Sequence, residues 1–221
     1  LAILGAGLLF LLVWLKRDGL KSAFAWLTRH KKGFLYGAVV FQLIVMVCAE
    51  LFIRRDAAVV FKGAFDLLKQ SSITNYLSRN PNNIPLFLYE KFFYVLFGSS
   101  GLWVMQALNI LYVNLGAVLL YKLSQKHFNQ KTADLVYLFY VSLICYSPYF
   151  YSMYTDIPPL PLIALQLWWA LDLLKEDQAS ISWKKIVGLG ILSGLSMLIR
   201  PTTIIVMIAF WAVLFFRGNW K

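Results

Sequence analysis

Phe34-Leu35-Tyr36-Gly37-Ala38-Val39-Val40-Phe41-Gln42-Leu43-Ile44-Val45-Met46-Val47-Cys48-Ala49-Glu50-Leu51-Phe52-Ile53 runs almost without charge, and Arg54-Arg55-Asp56 follows at once. A helix rises about 1.5 Å per residue, so about 20 residues cross the ~30 Å hydrocarbon core of a bilayer. The run has the length of one crossing, and the charges begin where it ends. Working outward, Leu1–Leu15, Leu102–Tyr121, Leu135–Tyr154, Leu160–Leu174, Ile186–Ile199 and Thr203–Phe216 read as further helical spans, several of them short. The expected fold is all-α: a polytopic membrane helical bundle of about seven transmembrane helices, in a single module over residues 1–221.

The bulk numbers agree. The chain of 221 residues is 60% hydrophobic with a mean hydropathy of +0.68, too apolar for a soluble domain whose surface must stay wet. Its net charge of +11 could suit nucleic acid, but 17% aromatic residues among long apolar runs point to anionic lipid headgroups instead. Cys48 and Cys145 fall inside predicted spans and read as small core residues, not a disulfide. Leu1 begins inside an apolar run with no Met and no signal-peptide n-region, so the chain reads as a piece of a longer protein.

Lys16, Arg17, Lys21, Arg29, Lys31 and Lys32 crowd the first loop, Lys122, Lys126 and Lys131 the third, and Lys175, Lys184 and Lys185 the fifth, with Arg217 and Lys221 after the last span. The positive-inside tendency assigns these alternate loops to the cytoplasm. The long segment 54–101, the turn Thr155–Pro159 and the junction Arg200-Pro201 then face outward. Within the external segment, Asp56–Lys69 carries apolar residues at helical spacing between Lys62, Asp66 and Lys69, as in a helix lying on a membrane. Ser71–Asn83 is polar and Pro81-Asn82-Asn83 reads as a turn. Pro85 suits the first turn of another helix reaching Phe97. Two juxtamembrane helices would thus roof an interfacial cavity. In the sixth span, Gly190-x-x-x-Gly194 with Gly188 suggests close helix packing; no strand precedes it, so a phosphate-loop reading fails.

Ionisable groups at span ends are expensive and tend to mark chemistry. Asp56, Tyr154-Thr155-Asp156 and Leu198-Ile199-Arg200-Pro201-Thr202 fall on the external side by the loop argument alone. An acidic residue heading a large first external loop, a Pro-Asn-Asn turn, a Tyr-Thr-Asp and then Leu-Ile-Arg-Pro-Thr together resemble the GT-C superfamily of membrane glycosyltransferases. The likeness is to its protein mannosyltransferase and aminoarabinose transferase branch and that branch's Gram-positive bacterial relatives, and it covers about Phe34 to Phe216.

The resemblance implies a bacterial cytoplasmic-membrane enzyme whose donor is a sugar on a polyprenyl phosphate. The acceptor, outside the cytoplasm, would be a cell-wall polymer, a glycolipid or a protein. In such enzymes the first-loop carboxylate, here Asp56, takes the proton of the attacking hydroxyl. Negative charge growing on the leaving phosphate calls for a cation, for which Arg200 is the candidate, where relatives often carry Lys. Arg54 and Arg55 are surface anchors or a second contact to that phosphate. Asp156 would hold the acceptor or share base duty. In some relatives a second-loop carboxylate helps bind a metal, so a divalent cation is the one cofactor left open. Asn82, Asn83 and Tyr154 would meet sugar hydroxyls.

Each residue has a plainer reading. Asp56 can cap the helix beside it, Asp156 can serve the turn before Pro158-Pro159, and Arg200 can snorkel to headgroups. Asn82 and Asn83 suit a turn, Tyr149, Tyr151 and Tyr154 suit interfacial anchoring, and Glu50 suits an ion pair with Arg54. His30 and His127 lack metal-ligand spacing. The rival functions are a lipid-linked glycan flippase or transporter, which would place charge near the midplane, and a non-catalytic GT-C-like membrane scaffold.

Overall fold

The structure, a computed structural model, describes residues 17–49, 53, 55–151, 154–175 and 183–216. The expected span Leu1–Leu15, the candidates Glu50 and Arg54, and Lys16, Arg217 and Lys221 lie outside them. The described residues form helices α1 (Arg17–Arg29), α2 (Lys31–Cys48), α3 (Arg55–Ala64), α4 (Gln70–Arg79), α5 (Ile84–Phe97), α6 (Gly101–His127), α7 (Gln130–Tyr140), α8 (Leu160–Lys175), α9 (Trp183–Ile199) and α10 (Ile205–Phe216). No strand occurs among them. The helical class is as expected.

The count of crossings is not. Two described stretches are long and apolar enough to cross a membrane: α2, and Pro81–His127, which holds α5 and α6. The helices α8, α9 and α10 have 16, 17 and 12 residues, or about 24, 26 and 18 Å of rise. All three fall short of a ~30 Å core. The α5–α6 stretch bends at Gly98, whose φ of +57° is open to glycine without a Cβ penalty.

The span expected at Leu135–Tyr154 is also interrupted. It begins earlier, where Asn129 caps α7 by accepting the Thr132 N–H at 2.8 Å, and then widens into a π-turn over Val141–Cys145. There the Tyr146 N–H reaches back five residues to the Val141 carbonyl at 3.0 Å. Such a turn leaves a carbonyl in need of a donor. Gln42, fully buried on α2, donates through Nε2 to the Cys145 carbonyl at 2.8 Å and accepts from Asn114 Nδ2 at 2.6 Å. Asn109 donates to the Phe150 carbonyl at 3.2 Å. The spans therefore carry amides at mid-length as well as charges at their ends, and around these amides Ala38, Val113, Ala117, Val141, Cys145 and Ile157 form the main apolar core.

The external segment folds differently from its reading. The surface helix stops at Ala64 instead of running to Lys69. Its end is closed by a paired cap in which the Leu67 N–H reaches the Lys62 carbonyl at 2.7 Å and the Asp66 N–H reaches the Gly63 carbonyl at 3.3 Å, with Asp66 at φ +57° in the place glycine usually takes. Lys91 of α5 then binds the Asp66 carboxylate at 2.6 Å. The polar stretch Ser71–Asn83 is mostly helix, α4, because Ile73, Tyr76 and Leu77 recur at helical spacing. Pro81 ends it, and a 3₁₀ turn Pro81–Asn83 leads into α5.

Two further expectations are corrected. Cys145 is buried but Cys48 is exposed, and both are free thiols. In α9 a Cβ built on Gly188 would lie 2.7 Å from the Trp169 ring, whereas Gly190 and Gly194 have nothing within 4 Å among the described residues, so that pair does not pack within the chain.

Gln42→Leu removes a donor from the π-turn and an acceptor from Asn114. In a membrane interior a hydrogen bond is worth about 1–2 kcal/mol. The variant should unfold at a lower temperature in detergent by that order, read by thermal denaturation of the purified protein; an unchanged midpoint would show that the bond is not holding the turn.

Candidate functional site

Two turns set the site. Tyr154-Thr155-Asp156 lies just before α8, where Pro158 and Pro159 restrict the backbone and the Leu160 N–H closes on the Ile157 carbonyl at 3.1 Å. Arg200 follows α9, which ends because Pro201 disfavours helical geometry in the residue before it; Arg200 is extended, at φ −144° and ψ 109°. Thr203 donates its hydroxyl back to the Arg200 carbonyl at 2.9 Å. The two turns bring unlike charges together.

Arg200 Nη1 forms an ion pair with Asp156 Oδ1 and donates to Thr155 Oγ1 at 3.2 Å. Its Nε faces Thr202 Oγ1 at 3.3 Å, and its guanidinium carbon lies 5.8 Å from the centre of the Tyr154 ring, within cation–π range. From Tyr154 the network passes to the external segment. Tyr154 Oη donates to Asn83 Oδ1 at 3.5 Å, and Asn83 Nδ2 donates to Tyr76 Oη at 2.7 Å. Tyr76 in turn hydrogen-bonds the Asp56 carboxylate. Asn82 Nδ2 also approaches Asn83 Oδ1, at 3.4 Å. Asn83 is buried at the centre of this chain of contacts.

Six of the seven residues picked from the sequence thus join one network: Asp56, Asn82, Asn83, Tyr154, Asp156 and Arg200. Arg55 stands apart from it. Its side chain is exposed and its φ is +54°, a left-handed conformation that costs a non-glycine residue about 1–2 kcal/mol; the strain falls immediately before Asp56. Tyr76 was not visible from the sequence as a site residue. Burial, and then the negative charge of Asp56, raise its pKa above the ordinary tyrosine value, so at neutral pH it remains a donor.

Below Arg200 the wall turns apolar. A cavity of about 350 Å³ is lined by Pro85, Leu86 and Tyr89 of α5, Tyr112 of α6, Thr155 and Pro158 of the turn, Pro161 and Leu162 of α8, and Ile199. Thr155 is shared with the Arg200 contact, so the cation and the slot meet at one residue. Among the described residues no cluster of three or more His, Cys, Asp or Glu stands close enough to hold a metal ion, and Asp156 faces Arg200. Glu90, on the otherwise apolar α5, is fully buried, and neither of its carboxyl oxygens has a hydrogen-bond partner among the described residues.

A family model described as "conserved hypothetical integral membrane protein" matches residues 2–218. The chain belongs to that family. No curated protein and no solved structure matches it. As an integral membrane protein of this family, it carries at one end of its helices a cation, two carboxylates and an apolar slot within a single hydrogen-bonded assembly.

Asp56→Asn removes the charge that helps hold up the Tyr76 pKa and leaves the burial in place. The Tyr76 pKa should move down toward the ordinary value, read by NMR titration of ring-labelled tyrosine assigned with Tyr76→Phe. An unmoved titration would separate Asp56 from the network.

Proposed function

We propose that the chain is a membrane glycosyltransferase of the GT-C kind, moving a sugar from a polyprenyl-phosphate donor to an acceptor outside the cytoplasm. The observation that carries this reading is Arg200 placed over an apolar cavity with Thr155 at the junction. A lipid phosphate has that division: an anionic head for a guanidinium and a hydrocarbon tail for the slot, whose volume lies in the usual ligand-pocket range of about 300–1,000 Å³.

In this reading the two carboxylates divide their labour. Asp156 holds Arg200 by ion pairing, so it positions the cation for the phosphate. Asp56 is exposed and bound to Tyr76, which leaves it open to accept the proton of an incoming hydroxyl. As that hydroxyl oxygen bonds to the anomeric carbon, the carbon–oxygen bond to the phosphate breaks, and the guanidinium meets the charge that develops there. Asn82, Asn83 and Tyr154 lie between base and cation and would hold the sugar. The seven-span topology, with this end external, belongs to the same proposal. It is supported by the contacts at the far end, where Lys31–Asp134 at 2.8 Å, Lys126–Asp172 at 2.7 Å and Lys175 to the His127 carbonyl at 3.1 Å collect basic residues of the first, third and fifth loops.

A transport reading would look to the amides within the spans. Gln42, Asn109 and Asn114 are each engaged with backbone or with one another, which is the behaviour of structural glue.

Asp56→Asn should express and fold normally and lose sugar transfer by about 100-fold or more, the scale of a lost general base, measured in membranes supplied with radiolabelled polyprenyl-phosphate sugars. Transfer at the wild-type rate would reject Asp56 as the base. Arg200→Ala should abolish co-purification of polyprenyl phosphate, detected by mass spectrometry, while Arg200→Lys should retain part of it. Equal retention in both variants would mean that Arg200 does not hold the donor.

A further inference from the structure

At the end of the helices opposite Arg200, the C-termini of α6 and α8 meet the N-terminus of α9. A second cavity opens there, about 280 Å³, lined by Trp169, Asp172, Lys184 and Lys185. Along α9 alone, the fifteen positions between Lys185 and Arg200 separate the two sites by roughly 22 Å. They are independent places on the chain.

The charge in this second cavity is unbalanced. Its one acid, Asp172, already receives Lys126 on Oδ2 at 2.7 Å and His127 Nε2 on Oδ1 at 2.9 Å. Lys126 also sits over the Trp168 ring, 5.5 Å from its centre, and Lys175 donates to the His127 carbonyl at 3.1 Å. One carboxylate thus stands among four lysines, two of which, Lys184 and Lys185, line the cavity from exposed positions. They occupy the first turn of a 17-residue helix, whose N-terminal N–H groups add to the attraction for an anion. The connecting residues 176–182, with Glu176 and Asp177, form no part of the site.

The apolar surface beside these lysines decides what kind of anion fits. From Lys185 the exposed face of α9 continues through Val187, Gly190, Ile191 and Gly194, residues three to four apart that share one side of the helix. Val187 and Ile191 are exposed, and the two glycines meet nothing within 4 Å. The stripe is a shallow apolar channel leading away from a cationic pocket edged by an indole. A small soluble phosphate has no use for the channel, whereas a phospholipid has a use for both parts.

We propose that this pocket binds the headgroup of an anionic phospholipid, its phosphate on Lys184 and Lys185 and one acyl chain along the Val187–Gly194 face of α9. Basic pockets between helices at the inner leaflet recognise headgroups in this way, each lysine strengthening the attraction about fivefold. Trp169 packs at the glycerol level, where indoles favour the boundary between water and hydrocarbon.

The test uses the full chain, purified in detergent, with phosphatidylglycerol and phosphatidylcholine as probes in native mass spectrometry. Phosphatidylglycerol should be retained in preference, and Lys184→Ala with Lys185→Ala should weaken that retention by roughly 25-fold. Lys62→Ala with Lys69→Ala, at the other end, should leave it within twofold of wild type. Retention unaffected by the Lys184 and Lys185 changes, or equal retention of phosphatidylcholine, would overturn the site. Displacement of the lipid by excess inorganic phosphate at equal strength in wild type and in Gly190→Leu would overturn the lipid assignment in favour of a free phosphate. A readout that needs no variant is amine acetylation of wild-type protein in nanodiscs: Lys184 should be protected by phosphatidylglycerol relative to phosphatidylcholine, and equal labelling would count against the proposal.

Discussion

The constraint beneath this structure is that a backbone polar group in hydrocarbon must find its partner inside the protein. An uninterrupted α-helix meets it automatically, and α2 and α6 do so over most of their length. The chain departs from that solution at Val141–Cys145, and the departure calls in a side chain from elsewhere. Gln42 supplies the donor to the Cys145 carbonyl, and Asn114 in turn supplies a donor to Gln42. Three helices are thereby tied at one level by amides, which keep their hydrogen bonds without the desolvation penalty of a charge.

Charge is kept to the two ends, and the ends differ. At one, Lys31, Asp134, Lys126 and Asp172 form ion pairs that fasten α2, α6, α7 and α8 to one another. At the other, the Asp156–Arg200 pair is set by two prolyl turns, and its neighbours are hydroxyl and amide groups with a hydrocarbon slot beside them. A guanidinium offers five N–H donors, and this structure engages Nη1 and Nε with Asp156, Thr155 and Thr202. The geometry holds Arg200 in place and leaves it donor capacity for an incoming oxyanion.

Sequence legibility followed the kind of signal each residue carries. Long apolar runs located α2 and α6, because length and hydropathy report directly on hydrocarbon thickness. Asp56, Asp156 and Arg200 stood out because charge at a span end is costly and therefore visible. Tyr76 did not: it sits in a polar stretch read as loop, and its place depends on α4 folding back so that Asn83 can reach it. The π-turn was equally hidden, since Val141-Ser142-Leu143-Ile144-Cys145 has the composition of ordinary helix and the widening is decided by a partner about one hundred positions away. Glu90 was in plain view on an apolar helix, but its complete burial comes from the packing of α5 against α3 and α6. Single-residue chemistry was legible, and relationships fixed by tertiary contact were not.

The π-turn has a bearing on how this chain tolerates insertion and deletion. A five-residue turn contains, in effect, one residue more than the α-helix it replaces, and each residue of helix advances the azimuth by about 100°. Excising a single position from Val141–Cys145 would let α7 continue as regular helix, but everything downstream would emerge rotated by that angle. The phase of the segment leading to Tyr154 and Asp156 is therefore stored some ten residues upstream, in a stretch that touches neither Arg200 nor the slot beneath it.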